Sequence, residues 1–151
     1  MLRYVRAFIT TLGLMLRGER PALTSPYPAF DAWVREGTER VKAVYSAAES
    51  SQINAAQRAA LTVKVDGRNT NVEVMLGTIR HHMEVEYPYV LTHATRNHLA
   101  AIYSSNFNDQ YWVEKLQALP TLQAPALQAA LAALKNHLDA LPPLPDSTSE
   151  K

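Results

Sequence analysis

Cysteine is absent from the 151 residues. That gap excludes structural disulfides, thiolate metal ligands and a cysteine nucleophile. Glycine is scarce, at five residues, while Ala and Leu recur throughout, a balance that favours helices over a many-turned β fold. Charge of one sign is also lacking. The formal net charge is +1, so no strong field points to nucleic acid or to an acidic partner, and no nucleic acid is expected. No apolar run reaches the roughly 20 residues of a membrane span. There is no Glu-x-x-His pair, no His-Glu-x-x-His, no phosphate loop and no internal repeat. These gaps leave little from which to read an enzyme, and a non-enzymatic protein is expected.

Apolar residues make up 47% of the chain and charged residues 19%, a globular composition with enough residues for one real core. The charges are unevenly spread. Residues 1–69 hold ten Lys/Arg and six Asp/Glu, against five and eight in residues 70–151. Much of the basic excess lies at Arg3, Arg6, Arg17 and Arg20.

The first stretch, LRYVRAFITTLGLMLR, places Leu2, Val5, Ile9, Leu12 and Leu16 on one stripe at helical spacing. Phe8, Tyr4 and Met15 widen it, and Arg3, Arg6, Thr10, Gly13 and Arg17 form a narrow polar strip opposite. Residues 1–17 are therefore expected as an amphipathic helix. Such a helix docks on a protein partner, on a second copy or on an anionic membrane surface, or it packs into its own bundle. Arg-Gly-Glu-Arg-Pro follows where a small-residue cleavage site would stand, so no secretory signal is expected. A cytoplasmic protein with a possible membrane-associated surface follows as the expected location. Residues 18–29 carry three prolines and a glycine and read as a linker.

From about Phe30 to Ser50, Phe30, Trp33, Val34, Gly37, Val41, Val44, Tyr45 and Ala48 share one helical face. Residues 54–74 support two readings. Asn54 with Gln57 and Thr70 with Glu73 resemble capping boxes around a turn at Gly67, which describes two helices. Alternation of Leu61, Val63 and Val65 describes a hairpin across Asp66 to Asn69, with Val63 beside Val72. The helical reading is favoured because the pattern is firmly helical from Val72. That helix carries Val72, Met75, Leu76, Ile79 and Met83 on one face. Beyond Pro88 a second face holds Leu91, Ala94, His98, Ala101 and Ile102, about 80° away in an unbroken helix. A corner at Tyr87-Pro88 would turn both toward one core. SSNFND, residues 104–109, reads as a loop with a helix start, and Leu127, Leu131, Leu134, Leu138 and Leu141 form a leucine seam on the last helix, a core or partner face. Residues 142–151 are expected to be a disordered tail.

The expected fold is all-α: an irregular bundle of about five to seven helices over residues 30–141, with room for one small β-hairpin near residues 61–74. Within RHHMEVEYPYVL, His82 and Glu86 stand four apart, on one flank of the apolar face. His81 and Glu84 point to solvent. If the corner folds the helices together, His82, Glu86 and His98 converge into a site suited to zinc or iron. The plainer alternative is a core histidine bonded to a carboxylate or tyrosine. Tyr103, Phe107, Tyr111 and Trp112 either line a pocket or close one end of the core. The function expected first is association, through Leu2, Val5, Phe8, Ile9, Leu12, Leu16, Arg3, Arg6 and Arg17 and through the leucine seam, with a protein partner, a second copy or a membrane surface. A metal-binding bundle is the alternative.

Overall fold

Pro28, with its φ already suited to a first helical turn, opens α1 (Pro28–Ser50). The computed structural model describes residues 25–93 and 95–145. The expected helix 1–17, most of the linker and the last six residues lie outside the described residues. Helix α1 buries Phe30, Trp33, Val34, Gly37, Val41, Val44 and Ala48, the face read from the sequence. It ends with Gln52 in the left-handed region at φ 62°. The Ile53 amide donates to Ala48 C=O at 2.8 Å and the Gln52 amide to Glu49 C=O at 3.0 Å, which satisfies carbonyls left open by the helix end.

Helix α2 (Ala55–Ala60) begins at the expected Asn54–Gln57 capping box. From there the favoured two-helix reading gives way. Strands β1 (Thr62–Val65) and β2 (Arg68–Asn71) form an antiparallel hairpin. Its turn is two residues long, with Asp66 at φ 52° and Gly67 at φ 79°, the pair of positive values that matches strand twist in the tightest hairpins. The register is therefore tighter than the four-residue loop anticipated, and Val63 faces Thr70 rather than Val72. Asn71, not Thr70, caps the following helix by accepting from the Val74 amide at 2.9 Å.

Helix α3 (Val72–His81), a π-helical turn (His82–Glu86) and α4 (Tyr87–His93) run on without a loop. Tyr87-Pro88 is thus not the expected corner. The chain stays helical through Pro88, and rephasing occurs one turn earlier, where the Tyr87 amide closes on His82 C=O. Ile79, Met83, Tyr87 and Leu91 are all 0 or 1% exposed. In a regular α-helix each such four-residue step drifts about 40°, so Leu91 would lie about 120° from Ile79. The π turn adds one residue to a turn and takes back roughly 100° of that drift.

Thr95 is the N-cap of a new helix, α5 (Arg96–Ala118). SSNFND is not a loop but the middle of this helix. His98 is not on the apolar face; it is exposed and completes the capping box, its Nδ1 3.2 Å from the Thr95 amide. A short 3-10 turn (Pro120–Leu122) leads to α6 (Pro125–Asp139). Its leucines Leu127, Leu131, Leu134 and Leu138 are buried in the protein's own core, which corrects their reading as a contact surface. Helix α6 packs chiefly on α1 and then on α5. The fold is mostly helical with one small hairpin, and no helix among the described residues is long and apolar enough to cross a membrane.

Candidate functional site

Helix α5 buries Leu99, Ile102, Asn106, Asp109, Val113 and Leu116. The spacing alternates between three and four, as for any core-facing helix, yet two of the six residues are polar. Each is buried against a defined partner. Asn106 Nδ2 donates to Leu138 C=O at 2.8 Å, where α6 ends. Asp109, with a side chain 2% exposed, meets His82 Nδ1 at 2.7 Å. A carboxylate at that depth is costly without a charged, hydrogen-bonded partner, and the first residue of the π turn supplies one.

The second imidazole nitrogen of His82 faces outward, 3.7 Å from the half-exposed Glu86 carboxylate. Burial disfavours the imidazolium, but the Asp109 hydrogen bond and charge, with Glu86 adding to them, outweigh it and raise the His82 pKa. Burial also raises the Asp109 carboxyl above its ordinary value, and the His82 hydrogen bond only partly offsets this. The pair holds a proton more firmly than either group does in water.

Behind His82 lies a column of rings. Its imidazole stacks on Tyr87 at 5.2 Å and 12°, Tyr87 lies 6.1 Å from Trp33, and Trp33 stacks on His137 at 4.9 Å and 14°. Trp33 Nε1–H donates to His137 C=O at 2.8 Å, and His137 Nε2 returns a bond to Trp33 C=O at 2.7 Å. That acceptor fixes the proton on Nε2, and burial lowers the His137 pKa despite this bond. The column ties the π turn, α4, α1 and α6 together and gives His82 a rigid backing.

In front of His82 lies a cleft of about 760 Å³. One wall is the hairpin. Side chains of paired residues share a face of a sheet, so Val65, Arg68 and Thr70 lie on the side of the buried Val63 and overhang the cleft. The opposite wall is the α5 stripe Ser105, Asn108, Asp109 and Trp112, and the floor is Thr78 and His82 on consecutive turns. A volume in this range suits a small organic molecule. Three elements thus converge polar groups on a recess whose deepest pair is ionisable and buried, an arrangement typical of binding and catalytic sites.

Of the three candidate metal ligands, His82 and Glu86 are neighbours, while His98 belongs to the α5 cap. Among the described residues no group of three or more His, Asp or Glu side chains could hold a metal ion. His81 and Glu84 are exposed, as expected. The aromatic cluster is divided. Trp112 lines the cleft, Tyr103 meets Phe30 edge-on at 6.3 Å and donates to Pro142 C=O, Lys115 lies over Tyr111, and Phe107 is 71% exposed. Sequence reasoning missed Asp109, Arg68 and Asn108. Extending the three-four spacing of Leu99 and Ile102 forward to Val113 and Leu116 places Asn106 and Asp109 on the buried face, and a polar pair there was the available signal. No protein family, curated protein or solved structure matches the chain.

Proposed function

We propose that this protein is a non-enzymatic binding module whose ligand is a small polar molecule held in the cleft between the hairpin and α5. The observation that carries this reading is the buried His82–Asp109 pair on the cleft floor. A core position given to a carboxylate forgoes the 1.5–3 kcal/mol or so of burying an aliphatic side chain, and the pair brings a fixed polar surface to the recess instead. A thermal-shift screen of polar metabolites against the wild type and Asn108→Trp, which fills the cleft from its α5 wall, tests the reading. At least one compound raises the wild-type Tm by several degrees and leaves the filled variant unchanged. Equal responses in both proteins, or none in a folded wild type, overturn it.

A second reading rests on the apolar stripe of residues 2–16 beside Arg3, Arg6 and Arg17. We infer that this segment supplies an association surface for a protein partner, a second copy or an anionic membrane. Deleting residues 1–17 then changes sedimentation or vesicle binding, and unchanged behaviour in both assays removes the reading.

A further inference from the structure

The cleft groups differ in how much of their hydrogen-bonding capacity is already used. His82 Nδ1 and Asp109 are spent on each other, and Thr78 Oγ1 donates to Val74 C=O at 2.8 Å. Arg68, Asn69, Asn108 and Trp112 make no side-chain hydrogen bond among the described residues, and Arg68 makes no ion pair there. The unspent groups are rich in donors: a guanidinium, an indole N–H and two amide NH₂ groups. The hairpin register puts Arg68 on the inner face of β2, above the cleft, whereas Asp66 sits in the turn at the rim. Asp109 contributes little free negative charge because its partner is bonded to it at 2.7 Å. The outward nitrogen of His82 already has a carboxylate beside it, that of Glu86, which at 3.7 Å and half-exposed is loosely held.

Building on the cleft reading, we propose that the ligand is a small organic oxyanion, a carboxylate or phosphate monoester. Its charged oxygens pair with Arg68, and its body lies between Asn108 and Trp112 over the His82–Asp109 floor. Guanidinium binds both anions through parallel N–H donors, which an amide cannot match in charge.

Calorimetric titration with succinate, glycerol 3-phosphate and uncharged glycerol tests the class. The two anions compared with each other tell carboxylate from phosphate. At least one anion binds the wild type, binding weakens tenfold or more in Arg68→Gln, and Arg68→Lys retains an intermediate affinity. Arg68 is exposed, so both variants keep the fold. Glycerol binding as tightly as the anions, or an anion affinity indifferent to Arg68→Gln, overturns the oxyanion assignment. The cleft reading survives that result if Asn108→Trp still abolishes the uncharged compound's binding. Absence of binding by all three compounds overturns the assignment as well, and the metabolite screen then decides the cleft reading separately.

Discussion

At the scale of single residues, the account turns on a histidine and an aspartate that hold one proton between two helices. Their energetics have a definite pH sign. The His82 pKa is raised on folding, so its stabilising contribution is complete below its ordinary value of about 6.5 and fades as pH climbs through the higher folded value. Removing the imidazole leaves the Asp109 carboxylate buried and unpaired. His82→Ala is expected to cost about 3–5 kcal/mol at pH 7, as for other broken buried pairs. The loss shrinks as pH falls from 7 toward 5, because burial raises the Asp109 pKa and so favours its protonated form. Replacing both residues in His82→Phe/Asp109→Leu recovers most of the stability. Urea melts at the two pH values check all three statements, and a loss independent of pH contradicts them. Half of this pair was legible beforehand. His82 stood out as a polar residue on the flank of an apolar face. Asp109 did not, because Ser104 to Asp109 has a loop-like composition and its buried polar side chains find their partners in the π turn and α6.

At the scale of elements, the π turn decides which residues meet. By taking back about one residue of rotation it keeps Ile79, Met83, Tyr87 and Leu91 in one line and sets His82 opposite Asp109. Val85, 55% exposed within that turn, separates the effect of register from that of packing. Inserting one alanine after Val85, with the π turn kept, swings Tyr87 and Leu91 roughly 100° off the core, whereas deleting Val85 leaves them aligned in plain α register. A loss above about 4 kcal/mol is expected for the insertion, whereas Val85→Ala changes stability by less than about 0.5 kcal/mol. Thermal unfolding of the insertion and of Val85→Ala checks this, and an insertion as mild as the substitution refutes it. The sequence hint lay in three consecutive four-residue steps between apolar or aromatic positions, Ile79, Met83, Tyr87 and Leu91, which an α-helix cannot keep on one face. The hairpin was legible too, through Asp66-Gly67 between alternating valines, but capping residues on either side drew the reading toward helices. The Asn54 cap exists, and Asn71 rather than Thr70 caps the next helix; the two caps bracket the strands rather than replace them.

At the scale of the whole molecule, composition and periodicity were enough for a helical bundle and for the buried faces of α1, α3 and α6, because those faces are apolar and evenly spaced. The cleft was not legible, since it arises only when β2, α3 and α5 are placed side by side, and no short motif marks such a convergence. Placement also separates the two tryptophans. Trp33 sits in the core, its indole bonded to His137, whereas Trp112 lines the recess. Their indole N–H signals in a ¹H–¹⁵N spectrum therefore report on the site and on an internal control in the same sample. Titrating the protein with small carboxylates, phosphate monoesters and polyols should move the Trp112 signal saturably for at least one compound and leave Trp33 in place. A Trp112 signal fixed for every compound, or two signals that shift in step, would contradict the claim that this cleft is where the protein binds.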